Sequence, residues 1–537
     1  MPGNFALTRE DIKYGSVLIF LGVVFFLLYV KFNGRPIEDA AMLLRYAQHL
    51  GQGKGIVWNV GARPVDGATD FLFVLALGGG RAIGINVLHA AFFINITSHL
   101  LTVLVVYYGI RRSNPTSPPS EKLAFVSAAY LVAGPGFCYM SAYFGTPFFA
   151  LWAALSWYFV LQIAHRDASY RSSWAFAVSS LLMSLTRPEG VFLTIFMLLS
   201  LVYWQGFRST TYVLRSTATL IILFGGVYFA WRWHYFGYPL PNAYYKKGAH
   251  LFYSGSVREA VGNIILLCLP CLLPFVLAFR STVTSRLAIF VLIPVIGWAA
   301  IWVLLSNEMN FLARYQYAIL PVVLMSWPGL VQNLQSEWHL PSLSDFTDKN
   351  RKVIGLANFL LFLFLLGYQY QRFVNANVGG NGLYTAGRML REYKSKNYTL
   401  ATTEAGLLPY YSEWKTIDTW GLNDAWIAHH GYITDEYLDR YKPDMLVVHT
   451  PLKTMRGEIF VLGHDAATWS GMVSILRHYA STRKYVLAAA WGLSPENTYF
   501  YYVRADCPDC RLFVTRIRQL DFTAETGQIW YNFADSQ

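Results

Sequence analysis

Glu38 and Asp39 stand side by side in the stretch IEDAAMLLRYAQHL, residues 37–50. A carboxylate at a membrane surface can act as a general base, taking the proton of a hydroxyl as it attacks an electrophilic carbon. Two neighbouring acids also couple, which raises the pKa of one of them. A helix cap needs only one short polar side chain, so the pair is more than capping requires. Candidate cations stand further along: Arg187 beside Glu189 in TRPEG, Lys246 and Lys247 in PNAYYKK, and Arg314 in NFLARY. Such groups suit a phosphate, and the rigid arginine fork matches its oxygens. Asp66 and Asp70 fall in the glycine-rich loop GQGKGIVWNVGARPVDGATD, where each could orient a hydroxyl or close a turn. The loop is no Walker pattern.

These residues need elements to hold them. After Asp39, apolar residues fall at Ala40, Leu43, Leu44, Ala47 and Leu50, which is helical spacing, with Arg45, Gln48, His49 and Gln52 on the other face. The chain around this helix is 55% hydrophobic and only 14% charged, against about 25% charged in soluble domains. Apolar runs near the length of a membrane crossing recur through the first 370 residues. Eleven spans are expected, near 14–31, 88–110, 122–140, 146–164, 173–186, 190–205, 213–231, 261–279, 287–305, 313–331 and 353–370. Phe71 to Gly84 reads as an interfacial or re-entrant piece. The loops RRSNPTSPPSEK, HRDASYR, QGFRSTTYVLR and FRSTVTSR all carry Lys or Arg and fall on one side, as cytoplasmic loops should. The opposite side then collects 33–69, 143–147, 186–190, 232–260 and 307–315. Residues 371–537 also fall outside. They are more polar, contain the strand-like run DMLVVHT and form the expected second domain, mixed α/β, after a membrane domain over 1–370.

The net charge of +12 does not indicate nucleic acid, because the basic residues are scattered over loops and form no stripe. Tyr14 to Val30 is too long for a cleavable signal and reads as a first span. Cys138, Cys268 and Cys271 sit in apolar segments as inert core residues. The pair in CPDC, Cys507 and Cys510, is expected to form a local disulfide in an oxidising compartment.

Four segments, in order, resemble one family. EDAAMLLRYAQHLGQGKGIVWNVGARPVDGATDF is similar to the first outer loop of GT-C class glycosyltransferases, most of all the mycobacterial terminal arabinofuranosyltransferase group. LTRPEG, FGYPLPNAYYKK and EAGLLPYYSEWKTIDTWGLND match further on. The resemblance implies a polytopic α-helical membrane protein of GT-C type, with about 11 transmembrane helices and a C-terminal mixed α/β extracytoplasmic domain. It implies transfer of a sugar, arabinofuranose first, from a polyprenyl-phosphate donor by inverting displacement. The acceptor would be a glycan or surface protein outside the inner membrane of a bacterium. Asp39 or Glu38 would be the base, with Asp39 preferred. Arg187, Lys246, Lys247 and Arg314 would meet the donor phosphate. Arg45, Asn59, Asp66, Glu189, His234, Asn242, Tyr245, Glu404, Tyr410 and Asp424 would bind substrate, and Asp418 maps beside them. No metal is required if the cations do the work; a divalent ion held by Glu38 or Asp39 is the alternative. Three positions depart from the family: Glu38 replaces an Asp, Asp66 replaces a Glu, and Gly145 stands where many members carry the Glu of a Gly-Leu-Glu-Thr motif.

Two other classes compete. A transporter would place its ionisable residues at mid-depth inside spans, whereas here the acids cluster in outer loops. A non-catalytic sugar- or lipid-binding assembly protein could share the scaffold.

Overall fold

The structure is a computed structural model. It describes residues 8–29, 34–113, 121–132, 134, 136–166, 169–247, 254–305, 307, 310–337, 382–450 and 466–534, with isolated positions between 356 and 371. The first part is helical. α1 (Arg9–Tyr29), α2 (Glu38–Gly51), α3 (Phe71–Ala82), α4 (Val87–Ser113), α5 (Glu121–Val132) and α6 (Gly136–Ser141) come first. α7 (Thr146–Arg166), α8 (Tyr170–Thr186), α9 (Gly190–Gln205), α10 (Phe207–Leu220) and α11 (Gly226–Phe236) follow. α12 (Asn242–Lys247), α13 (Ser254–Cys268), α14 (Leu272–Ala278), α15 (Thr282–Leu304) and α16 (Leu320–Glu337) complete the bundle.

Among the described residues, eight helical stretches are long and apolar enough to cross a membrane. The expected spans at 173–186 and 190–205 form α8 and α9, of 17 and 16 residues, short of the roughly 20 that a crossing uses. The expected span 353–370 lies outside the described residues apart from isolated positions. Phe71–Gly84 forms the short apolar helix α3. The stretch Glu121–Ser141 is 75% buried and Phe207–Phe236 only 17%, so α5 and α6 sit centrally while α10 and α11 face outward. One end of the bundle is pinned by charge. Arg111 of α4 donates to Asp11 of α1 at 2.9 Å and reaches Glu121 of α5, while the Tyr107 hydroxyl donates to Asp11 at 3.0 Å.

The second part is built on a six-stranded sheet in the order β2-β1-β3-β5-β4-β6. Its strands are β1 (Thr399–Thr402), β2 (Lys415–Asp418), β3 (Met445–His449), β4 (Tyr485–Ser494), β5 (Asn497–Arg504) and β6 (Tyr531–Asn532). β2, β1 and β3 run parallel; β5, β4 and β6 add antiparallel. The run DMLVVHT becomes β3, every residue of which is buried, as expected of a strand covered on both faces. Alternate residues feed two cores, Met445 and Val447 on one face, Leu446 and Val448 on the other. Ala41 of α2 packs into the first of these cores, so the bundle and the sheet domain share apolar surface. The expected disulfide is not formed: Cys507 and Cys510 are free thiols, Cys507 buried in the domain core where burial pushes its thiol up.

Candidate active site

The apolar stripe of α2 is buried as its spacing requires, but Arg45 and His49 on the polar face are buried too, because the sheet domain covers that face. The N-cap of α2 is Ile37, and no side chain caps the helix. Neither acid is therefore a cap. Both sit in the first turn, where the helix dipole favours negative charge.

The two carboxylates diverge. Glu38 reaches the sheet domain and accepts the backbone N–H groups of Gly406 and Leu407, the second at 3.0 Å. Burial, and then the nearby Glu404 carboxylate, push Glu38 up to about 8. Asp39 instead accepts from Arg314 at 2.8 Å and keeps 26% of its side chain exposed. The two carboxylates point to different partners and offer no shared ligand face. Among the described residues no group of three or more potential metal ligands gathers.

Asp39 opens into a cavity of about 80 Å³, which it lines with Asp70, Arg187, Lys247, Arg314 and Tyr315. Phe144 and Leu422 close its sides. All five outer segments read from the sequence contribute, together with the sheet domain. Arg187 leaves the C-terminal end of α8 in an extended conformation and donates to Asp70 at 2.8 Å and Glu189 at 3.5 Å. Arg314 follows two residues, Leu312 and Ala313, with φ of 51° and 65°, a left-handed conformation that costs on the order of 1–3 kcal/mol per residue. The Tyr139 hydroxyl secures this elbow by donating to the Leu312 carbonyl at 2.7 Å. The Arg314 guanidinium lies 4.0 Å from the Phe144 ring centre. Its Nε and Nη1 are buried and have no hydrogen-bond partner among the described residues.

Other residues expected at the site form a seam between bundle and sheet domain. Arg45 donates to the carbonyls of Trp58 (2.9 Å), Trp414 (2.8 Å) and Pro409, and to Asn59 Oδ1. Asn59 exchanges two hydrogen bonds with the Thr416 backbone, at 2.8 and 2.9 Å, extending the edge of β2. Asn242 donates to the carbonyls of Gly421, Leu422 and Asp424. Lys246 donates to the Gly431 carbonyl at 2.6 Å over the Trp420 ring. In this geometry each of the four donates to at least one backbone carbonyl of the sheet domain.

Most of the remaining expected residues also have protein partners. Asp66 is buried against Arg232 of α11, away from the cavity lining, and burial pushes it up to about 6. His234 is exposed on α11, and Tyr245 packs on His429 at 4.1 Å. Glu404 holds His449 Nδ1 at 2.7 Å, and Tyr410 packs against the bundle core and one core of the sheet domain. Asp424 caps the helix Ala425–His430 and accepts the Tyr437 hydroxyl at 2.6 Å, while Asp418 organises the turn before it through the N–H groups of Trp420, Gly421 and Asn423. Sequence reasoning missed Phe144 and Tyr315 and left Asp70 open. For Asp70 the available signal was an acid directly before an apolar helix.

Against curated proteins the sequence finds no match. A family model described as a domain of unknown function (DUF8728) matches residues 368–505. Solved structures match in fold. ArnT from Cupriavidus metallidurans bound to undecaprenyl phosphate aligns with a TM-score of 0.56 at 12% identity, over 92% of this chain and 98% of that one. AglB from Archaeoglobus fulgidus, in complex with an inhibitory peptide and a dolichol-phosphate, gives 0.51 at 11% identity, over 93% and 74%. Arabinofuranosyltransferase AftD from Mycobacteria gives 0.50 at 12% identity, over 93% and 40%. At such identities the likeness is one of fold. The chain shares with these structures a multi-helix fold with a C-terminal sheet domain, the fold its motifs implied.

Proposed function

We propose that the protein is an inverting membrane glycosyltransferase. It moves a sugar, arabinofuranose first, from a polyprenyl phosphate to a hydroxyl of a cell-surface glycan or protein. We take residues 1–370 as the catalytic membrane domain and 371–537 as an extracytoplasmic domain, with the site on the outer side of a bacterial inner membrane. A domain match that begins at residue 368 supports that division.

The observation that carries the reading is the cavity, where the Asp39 carboxylate faces Arg187, Lys247 and Arg314. In the reaction, Asp39 takes the proton of the acceptor hydroxyl while its oxygen attacks the anomeric carbon. The bond from that carbon to the phosphate oxygen breaks, and the phosphate leaves with its negative charge. Arg314, with two unpartnered buried nitrogens, and Lys247 stabilise that charge, which grows as the bond breaks. An apolar groove is lined by Leu50, Ile56, Phe71, Leu75, Trp231 and Tyr235; Phe71 follows Asp70 of the cavity in sequence, and the groove suits the lipid chain of the donor. Glu38, engaged by Gly406 and Leu407, docks the outer domain.

The test is transfer by the purified protein in vesicles from labelled polyprenyl-phosphate arabinofuranose to a glycan acceptor. The reading expects a new glycoside of inverted anomeric configuration and free polyprenyl phosphate. Lipid binding without turnover would make the protein a binding module, and flux across the vesicle without transfer a carrier.

A further inference from the structure

A second carboxylate in the cavity has no part in the chemistry above. Asp70 occupies the N-cap position of α3, yet it makes no side-chain cap bond. An aspartate there ordinarily accepts the N–H groups of its own helix. Here the side chain lines the cavity, only 4% exposed, with one oxygen on Arg187 at 2.8 Å and a further hydrogen bond to Thr69. Arg187 already has Glu189 as a counter-charge, so a second acid is more than its pairing requires. Burying a carboxylate is costly unless its hydrogen bonds are met.

Gly145 makes room for this acid. Its φ is not in the left-handed region, so the backbone does not require glycine. A Cβ at this position would come within 2.9 Å of Asp70 Oδ2 and 2.9 Å of the Phe73 ring. Even alanine would push the carboxylate aside. The cavity thus holds two acid–arginine pairs, Asp39 with Arg314 and Asp70 with Arg187, and the two guanidiniums lie 5.0 and 5.4 Å from the ring centre of Tyr315. Arg314 lines the cavity, and with two nitrogens unpartnered among the described residues it can draw an anionic group there. A sugar joined to that group would then lie beside Asp70.

Building on the glycosyltransferase reading, we propose that Asp70 binds the sugar of the lipid donor by accepting a hydrogen bond from one of its hydroxyls, and that residue 145 is glycine to leave space for that carboxylate. Asp70 is a specificity residue, distinct from the base.

The experiment compares binding of bare undecaprenyl phosphate with binding of a panel of polyprenyl-phosphate sugars, the arabinofuranosyl lipid first. The readout is the gain in affinity that the sugar gives, taken for the sugar with the largest gain. Asp70→Asn is expected to cut that gain about tenfold or more, the loss of one hydrogen bond to a charged group, and to leave bare-lipid affinity within about threefold. Gly145→Ala should act in the same direction without touching the charge, and it stands as the test if Asp70→Asn does not fold. Asp70→Ser combined with Gly145→Asp returns a carboxylate to the same spot and should recover part of the gain that Asp70→Ser loses. The proposal fails if Asp70→Asn weakens both lipids equally, since Asp70 would then act only through Arg187. It also fails if no sugar in the panel improves binding to the wild type, or if the double variant is no better than Asp70→Ser. Wild-type protein that binds neither lipid would overturn the glycosyltransferase reading itself.

Discussion

The cavity and the interdomain seam are made of the same residue types, drawn from the same motifs, and they use them oppositely. In the seam, Arg45, Asn59, Asn242 and Lys246 donate to backbone carbonyls of the sheet domain. In the cavity, Arg187 and Arg314 pair with carboxylates, and Arg314 keeps two nitrogens without a partner among the described residues. A side chain satisfied by backbone is held in place; one satisfied by another side chain, with donors to spare, can exchange that partner for a ligand. Glu38 and Asp39 compress the contrast into two adjacent residues.

Substitutions can break this contrast from either side. The largest effect is expected in the seam. Arg45→Met leaves several buried carbonyls without a donor, at about 1–3 kcal/mol for each group left unsatisfied, and should destabilise the protein by several kcal/mol in all, read as the thermal or denaturant unfolding of purified protein. Arg314→Met should do the reverse. Its unfolding midpoint should stay close to the wild type, while sugar transfer falls roughly 10²–10³-fold, the usual loss when one donor to a developing negative charge is removed. Asn242→Ala removes one side chain shared by three carbonyls, and a loss of about 1–3 kcal/mol in stability is expected with little change in affinity for bare polyprenyl phosphate.

A smaller effect sharpens the contrast through pH. Glu38 binds its proton more tightly folded than unfolded, since burial and Glu404 hold its carboxyl near 8 against about 4.3 for a free glutamate. The stability this contributes is fully present below the unfolded value and is lost as pH rises through the folded one. Between pH 7 and 9 the loss should be roughly 1.4 kcal/mol, seen as a falling unfolding midpoint that Glu38→Gln flattens.

Much of the fold was legible because its signals are local. Apolar run length marked most helices, the loop charges marked one side, and a continuous apolar run marked β3. The cavity was partly legible: Asp39, Arg187, Lys247 and Arg314 were all named from type and position. What the sequence could not say is which way a motif residue points. Arg45 lies on the polar face of α2 whether that face meets water, substrate or another domain, and only the docked sheet domain decides it. Asp66 and Asp70, four residues apart in one loop, offered the same two roles by residue type, and only Asp66 mapped onto the family pattern. One is buried on Arg232 and the other opens into the cavity, a difference set by α11 and α8, which are remote in sequence. Gly145 read as a missing acid, whereas its place beside Asp70 is a contact between segments 75 residues apart.

The central claim is that adjacent acids have separate jobs, and one paired measurement tests it most directly: turnover and unfolding midpoint of Asp39→Asn and Glu38→Gln, side by side in the labelled-lipid assay. The account predicts that Asp39→Asn folds like the wild type and loses about 10²–10⁴-fold in turnover. Glu38→Gln should keep most of its turnover per folded molecule and unfold at a different midpoint. Full turnover in Asp39→Asn, together with loss of turnover at unchanged stability in Glu38→Gln, would contradict it.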